Sequence, residues 1–222
     1  MMRLYIEKKL QEDFPEISVL VREITGVLVK NRDEQLEIFK QKVFDRLRKT
    51  YFIEDVKNLP VIRQYRSFYW RLGIDPTKTR PAGEALLRRI LLGKDLPTIN
   101  TLVDAYNLAS AETGVAISAL DREKIKGELV LRYSRVGELF FGMGMPASIL
   151  LDEGRPIICD DEKVVALYPY RDSELTKITE ETTKAVLIFC GVPGIENRFL
   201  QEVAEKTITY IKRFCGGEEI QQ

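Results

Sequence analysis

The spacing of apolar residues predicts helices through most of the first half of the chain. Four segments repeat apolar residues every three or four positions, as an amphipathic helix does. They span about residues 33–50, 62–72, 81–93 and 97–114. Asn31 and Glu34 stand at capping-box spacing at the start of the first segment. Pro97 and Thr98 are placed to begin the fourth segment, and Gly114 is placed to end it.

Short apolar runs, separated by glycine, proline or charged residues, predict strands. Residues 17–29 are rich in β-branched side chains and are interrupted by Gly26, which indicates one or two strands. Further runs lie at 126–132, 138–141, 156–159, 164–170 and 185–190, before a helix that begins near Glu196 and stops at Gly216. The pattern predicts an α+β domain, with a mixed sheet or small β-barrel flanked by helices.

Length and charge limit the class of protein. The 222 residues, 45% of them hydrophobic, fit a single domain over 1–222 with a sizeable core. Lys and Arg number 34, as do Asp and Glu, so the formal net charge is zero. That balance argues against a surface that coats nucleic acid broadly, and we expect no DNA partner. A local basic patch stays open.

Histidine is absent, and the three cysteines lie far apart without a CxxC pair. These features argue against a zinc site, and we expect neither a metal nor a cofactor. The cysteine usage fits a reduced, intracellular protein. The start of the chain lacks a signal-peptide core, and no apolar run approaches the roughly 20 residues that span a bilayer. We therefore expect a cytoplasmic protein without a membrane partner.

The segment Leu96–Asp121 combines a buried-looking helix with polar residues that packing alone does not require. A buried amide or hydroxyl without a partner costs roughly 1–3 kcal/mol. Asn107 therefore faces water, braces another segment or lines a pocket. Tyr106, beside it, either fills the core, lines a pocket or stacks on a base.

Residues 62–94 are the basic part of the chain, with eight Lys and Arg residues against two acidic residues, interleaved with aromatic residues. Such mixtures bind phosphates and base edges of RNA. The alternative is a solvated helical face with its aromatic residues in the core. Residues 152–181 carry nine carboxylates against four basic residues, so RNA would avoid that surface.

Several motifs in the right order carry a resemblance to a known family. They are LPTINTLVDAYN, then ALD, then a strand with Arg132 and the pair Gly137 and Glu138. Together they resemble the B3/B4 domain of phenylalanyl-tRNA synthetase β subunits. The resemblance covers about residues 94–215, and residues 1–60 would form an N-terminal extension packed on that domain. The segment before residue 94 resembles freestanding proteins built on this domain.

The resemblance implies a tRNA or aminoacyl-tRNA partner. In bacterial-type synthetases this domain holds an editing pocket, which hydrolyses the ester of tRNA wrongly charged with tyrosine. The family's pocket asparagine falls on Asn107, and its aspartates fall on Asp104 and Asp121. Its pocket histidine falls on Ser118, and a pocket glutamate falls on or near Phe189. Either the substrate differs, other residues carry the chemistry, or hydrolysis is lost.

Hydrolysis of an aminoacyl ester does not require an ionisable base, because the bond is already labile. A site that positions water and stabilises the oxyanion supplies several kcal/mol. On this hypothesis Asn107 holds the amino or carbonyl group, Ser118 contacts the ester or a water, and Tyr106 completes the substrate site. Glu138 is the motif-linked carboxylate that would act as base. Ser118 is a poor nucleophile without a histidine partner.

Each of these residues also has a structural interpretation. Asn107 would brace a segment, Ser118 would fill a tight spot, Tyr106 would pack in the core and Glu138 would lie exposed at a strand end. Asp104 and Asp121 are expected to be braces or caps, because an aspartate bound by backbone N–H groups fixes a loop without touching a ligand.

We therefore predict a domain that binds tRNA or aminoacyl-tRNA, with trans-editing hydrolysis of mischarged aminoacyl-tRNA as its activity if it is an enzyme. The predicted tRNA contacts are Lys78, Arg80, Arg88 and Arg89. One alternative is a module that binds an amino acid, a small ligand or RNA without chemistry. Another is a protein-interaction domain.

Overall fold

The structure is a computed structural model that describes residues 2–220. Within that range it has six α-helices. They are α1 (Lys8–Asp13), α2 (Glu34–Thr50), α3 (Pro60–Arg71), α4 (Ala82–Leu91), α5 (Thr101–Thr113) and α6 (Asn197–Cys215). The five longer helices α2 to α6 correspond to the five predicted segments, which confirms the helical pattern. No helix among residues 2–220 is long and apolar enough to cross a membrane.

The same range contains eleven strands. They are β1 (Leu4–Ile6), β2 (Ser18–Thr25), β3 (Ile117–Asp121), β4 (Leu129–Tyr133), β5 (Leu139–Phe140), β6 (Ile149–Leu150), β7 (Pro156–Cys159), β8 (Val164–Leu167), β9 (Arg171–Asp172), β10 (Lys184–Gly191) and β11 (Glu218–Glu219). The six predicted strand regions each contain one of them. Sequence periodicity missed five strands. Four of them, β1, β6, β9 and β11, are two or three residues long and too short to show alternation. The fifth, β3, has five residues that are all buried, so polar and apolar side chains do not alternate along it.

The strands form three open sheets in the described part of the chain. One has the order β1-β4-β7-β8-β9, the second β11-β2-β10-β3, and the third pairs β5 with β6. Strand β1 runs parallel to β4, and the other pairings are antiparallel. The prediction of mixed sheets with flanking helices is confirmed. The small β-barrel is wrong, because β9 and β3, which are edge strands of the two larger sheets, stay in separate sheets. Residues before 60 supply strands to both larger sheets.

Local capping explains why one predicted helix start, at Pro97, and one predicted cap, at Asn31, were wrong. The Oδ1 atom of Asn100 accepts a hydrogen bond of 3.0 Å from Val103 N, so α5 begins at Thr101 and not at Pro97. Likewise Asp33, and not Asn31, caps α2 through a 3.1 Å bond from Leu36 N. In both cases the side chain satisfies an N–H group that has no partner within the helix.

Helix α5 is the central helix of the fold, with ten of its 13 residues buried. It lies against α4 and α6 and next to strand β3. The approach of α4 is close, because a Cβ atom on Gly83 would lie only 2.5 Å from the carbonyl group of Gly114. Gly114 itself ends α5 with φ of 78°, a backbone conformation that favours glycine.

A buried ion pair joins α2 to α5. Lys40, only 1% exposed, places its Nζ atom 3.0 Å from Asp104 Oδ2 and 2.8 Å from Glu37 Oε1. Asp104 Oδ1 also accepts a 2.9 Å hydrogen bond from Ile99 N, which holds the segment before α5. Burial raises the pKa of Asp104, and the backbone bond and Lys40 oppose the shift. Asp104 is thus a brace.

Removing the ammonium group from this brace should destabilise the whole domain. Lys40→Ala leaves the Asp104 carboxylate buried without its cation, a change that typically costs about 3–5 kcal/mol. Urea unfolding followed by circular dichroism measures the loss. Lys42→Ala, on the exposed face of the same helix, is the matched control and should change the free energy of unfolding little. Equal effects of the two substitutions would contradict the brace.

Candidate functional site

A cavity of about 380 Å³ lies between the two larger sheets and is closed on a third side by α5. Its wall is mainly apolar. The apolar side chains come from α5, β3, β7, β8 and the loop before β10: Val103, Ile117, Ile158, Leu167 and Ile178. Polar groups enter from α5, β3 and β9. An apolar cavity with a few convergent polar groups is the usual form of a small-ligand site.

Tyr106 and Asn107 line this cavity from neighbouring positions on α5. Among residues 2–220, neither the Asn107 amide nor the Tyr106 hydroxyl has a hydrogen-bond partner. Burial raises the pKa of Tyr106, so its hydroxyl stays protonated and can donate. The helix therefore presents an amide and a hydroxyl to the cavity, both free to bind a ligand or water.

Ser118 and Asp172 connect the two larger sheets at the cavity wall. The Ser118 hydroxyl on β3 donates a 2.7 Å hydrogen bond to Oδ1 of Asp172 on β9. Within the described residues, no Lys or Arg forms an ion pair with Asp172. Burial raises the pKa of Asp172 to about 7, and the bond from Ser118 opposes that shift. The cavity thus holds a carboxyl group that exchanges its proton near neutral pH.

Two basic side chains lie at the edge of the same cavity. Arg171 Nη1 donates a 3.2 Å hydrogen bond to the Met143 carbonyl group. Lys177 lines the cavity as well and forms an ion pair with Glu174. Both side chains bring positive charge to the cavity, but neither forms an ion pair with Asp172.

Glu138 lies outside the cavity and in contact with other groups. Its carboxylate binds Arg132, with 3.0 Å between Oε2 and Nη1, and accepts a 2.7 Å bond from Arg135 N. The bond from Arg132 lowers the pKa of Glu138, so this carboxylate stays ionised and fixes the turn before β5. The structure does not bring it to Asn107 and Ser118, as a base for their substrate would require. Among residues 2–220, no three acidic or cysteine side chains converge as a metal ion would need.

The four predicted tRNA contacts differ in whether the fold already binds them. Arg88 is engaged in the fold, since its Nε atom lies 2.8 Å from Oε1 of Glu84, a carboxylate with no exposed surface. Arg66 binds the same carboxylate at 3.0 Å. Arg89 Nε donates a 2.6 Å hydrogen bond to the Asp95 carbonyl group. These bonds order the ends of α4.

Lys78 and Arg80 are differently placed. Both are exposed in the loop between α3 and α4. Ala82, two residues after Arg80, lines the cavity. This loop, residues 74–81, therefore carries two exposed cations up to the cavity wall, and we call it the basic loop.

The remaining family positions are structural here. Asp121 accepts a 2.8 Å bond from the Thr182 hydroxyl and a 3.0 Å bond from Glu123 N, so it caps and braces as predicted. Phe189 has no exposed surface and packs in the main core. Its neighbour Cys190 lines the cavity instead. A carboxylate at Phe189 would have no cavity to enter.

Sequence reasoning missed Asp172, Arg171 and Lys177. All three fall in the stretch 152–181, where the sequence predicts two short strands and a net acidic surface but no site residue. The available signal was an acidic residue, Asp172, two positions after the apolar run 164–170. That position puts a carboxyl at a strand end, where a buried sheet meets the loops that close a site.

The class of protein follows from comparison with known families. A family model for the B3/4 domain matches residues 64–216, which is more than half of the chain. The chain belongs to the B3/4 domain family. The match includes α5, β3 and β9, which carry the polar groups of the cavity.

Known relatives place this domain within larger proteins. The chain is 30% identical over 101 residues to the phenylalanine–tRNA ligase beta subunit of Symbiobacterium thermophilum, covering 45% of this chain and 11% of that subunit. It is 33% identical over 115 residues to the same subunit of Nocardia farcinica, covering 52% of this chain and 13% of the subunit. The chain thus spans only a small part of these relatives.

A solved structure shows the same fold. The crystal structure of an N-terminal fragment of the phenylalanyl-tRNA synthetase beta subunit from Pyrococcus horikoshii matches with a TM-score of 0.53 at 15% identity. The match covers 98% of this chain and 50% of that fragment. It therefore includes the residues before 64, outside the family match.

The desolvated carboxyl group of Asp172 should make stability depend on pH. Because the folded pKa of Asp172 is about 7 against an ordinary 3.8, the folded state keeps a proton that the unfolded chain has lost. Asp172 should therefore cost stability increasingly as the pH rises from about 4 to about 7. Asp172→Asn removes this titration, so its stability relative to the native protein should grow over that interval. Urea unfolding at several pH values measures the difference.

Glu181→Gln, at an exposed position, is the matched control and should leave the pH dependence unchanged. A constant difference between Asp172→Asn and the native protein across this interval would show that Asp172 titrates in its ordinary range.

Proposed function

We propose that this chain binds aminoacyl-tRNA in the cytoplasm and hydrolyses the ester of wrongly charged tRNA in trans. Membership of the B3/4 domain family supports a tRNA-related role, since relatives in that family are beta subunits of a tRNA ligase. One observation carries the proposal of chemistry. The free amide of Asn107 and the hydroxyl of Ser118 open into the same apolar cavity.

The cavity is suited to the amino-acid end of the substrate. The apolar wall accommodates a side chain, and Asn107 holds the amino or carbonyl group beside it. Tyr106 offers a second hydrogen-bond donor from the same helix. Ser118 contacts the ester or the attacking water. A site that fixes these groups lowers the barrier by orientation and by stabilising the oxyanion, without a nucleophile from the protein.

The basic loop supplies a route for the nucleic acid. Lys78 and Arg80 are exposed beside the cavity wall, where they would bind phosphates near the acceptor end. Arg171 and Lys177 continue the positive charge along the cavity edge. Arg88 and Arg89 are left out of this proposal because both already form bonds within the fold.

Binding without hydrolysis is the second candidate. It is favoured by the absence of histidine and by the position of Phe189 in the core, which remove two polar groups that the family resemblance leads one to expect. In that case the cavity would hold the amino acid and leave the ester intact. Deacylation assays separate the two candidates directly.

A deacylation assay tests the activity. Its substrates are tRNAPhe charged with tyrosine and, separately, other tRNAs that carry non-cognate alanine, serine, threonine or leucine. We expect at least one to lose its amino acid faster than in buffer alone. Asn107→Ala should slow that reaction by about 10²-fold, as loss of one positioning donor does. Asn58→Ala, at an exposed site, is the control. If the protein deacylates none of these tRNAs, the hydrolytic proposal fails. A rate unaltered by Asn107→Ala would remove Asn107 from the site.

The role of the basic loop is tested by binding. The double variant Lys78→Ala/Arg80→Ala should weaken tRNA affinity and lower the slope of log K against log salt by about 2, one for each lost phosphate contact. Filter binding or fluorescence anisotropy across a salt series measures both quantities. Lys42→Ala/Lys49→Ala removes the same charge from the exposed face of α2. An equal loss in that control would mean that only net charge matters.

A further inference from the structure

We infer that Asp172 is the general base of this cavity and removes the proton from the water that attacks the ester. The inference rests on the proposed hydrolysis and adds a residue to which neither the motifs nor the comparisons assign a role. Its basis is geometric. Asp172 lines the same cavity as Tyr106 and Asn107 of α5, and its Oδ1 atom lies 2.7 Å from Ser118 Oγ.

The backbone fixes where this carboxyl stands. Strand β9 pairs with β8, so that Asp172 lies opposite Ala166, itself part of the cavity wall. On its other side the Asp172 carbonyl accepts a 2.9 Å hydrogen bond from Met143 N. With its backbone bound on both sides and one oxygen bound by Ser118, the carboxyl keeps its second oxygen for a water. A base positioned in this way meets the geometric requirement for proton transfer.

The surroundings decide which groups titrate. The polar and charged groups that share the cavity with Asp172 come from α5, β3, β9, β10 and the loops on either side of β9. They are Tyr106, Asn107, Ser118, Tyr168, Tyr170, Arg171, Lys177 and Cys190. Burial raises the pKa of Tyr106 and of Cys190, so both stay neutral. The Ser118 hydroxyl does not titrate near neutral pH. Burial brings the pKa of Asp172 to about 7, so this carboxyl changes charge near neutral pH.

The proposed reaction balances with water alone. The water oxygen forms a bond to the ester carbonyl carbon while one of its protons passes to Asp172. The tetrahedral intermediate then collapses, the bond between the carbonyl carbon and the ribose oxygen breaks, and its electron pair stays on that oxygen. The ribose oxygen takes the proton back from Asp172. The products are the free amino acid and tRNA with its terminal hydroxyl restored.

Ser118 is a positioning residue in this scheme. Its hydroxyl donates to Asp172 and so favours the ionised carboxyl, which is the form that accepts a proton. Removing the hydroxyl should raise the pKa of Asp172 and shift activity to higher pH without abolishing it. A nucleophilic serine would behave differently, because its loss would remove the reaction and its acyl-enzyme intermediate.

The test is single-turnover deacylation of a mischarged tRNA that the native protein hydrolyses, over about pH 5.5 to 8.5 and corrected for loss in buffer. The native rate should rise about tenfold per pH unit below pH 7 and level off above it. Asp172→Asn should lose this rise and fall by about 10²–10⁴-fold at pH 8. Ser118→Ala should keep the rise but move its midpoint upward. Glu181→Gln should match the native protein.

A native-like profile in Asp172→Asn would overturn the base assignment while leaving the hydrolytic function standing. Complete loss in Ser118→Ala with a trapped acyl-enzyme would overturn it in favour of a serine nucleophile. A native protein that hydrolyses no tRNA would overturn the function and the base together. Circular dichroism and tRNA affinity of Asp172→Asn show whether a loss of rate is a loss of fold.

Discussion

The buried contact between Lys40 and Asp104 is the constraint on which the rest of the site depends. Helix α5 is buried on nearly all sides, yet it must keep one stripe of polar groups directed at a cavity. A helix packed only by apolar side chains can rotate or slide at small cost. A carboxylate fixed to one ammonium group and one backbone N–H allows a single setting, because any other leaves a charge buried alone. The position of Asn107 follows from that setting.

Much of the fold could be predicted because its signals are local. Helical spacing located α2 to α6. The polar Asn107 in an apolar segment left three alternatives open, facing water, bracing a segment or lining a pocket, and the structure has it lining the cavity. The basic cluster could not be predicted in the same way. Charge along a sequence does not show which cations are already bound, and the buried carboxylate of Glu84 binds Arg88 while leaving Arg80 free to face solvent.

The partner of Ser118 lay beyond prediction for a different reason. Asp172 belongs to a strand of two residues, and its hydrogen-bond partner Ser118 is 54 positions away on another sheet. No periodicity in the sequence predicts a contact of this kind. In a chain without histidine, burial of a carboxyl raises its proton affinity and so gives a group whose pKa lies near neutral pH.

Gly83 shows how the width of a binding site can be set at a distance from any ligand. A single methyl group there would press against the end of α5 and force the two helices apart. Ala82, the preceding residue, forms part of the cavity wall, so the displacement would reach the cavity. The close approach of α4 to the end of α5 is therefore possible because Gly83 carries a hydrogen atom in place of a side chain. The size of the cavity therefore depends on the spacing of the two helices as well as on the side chains that line it.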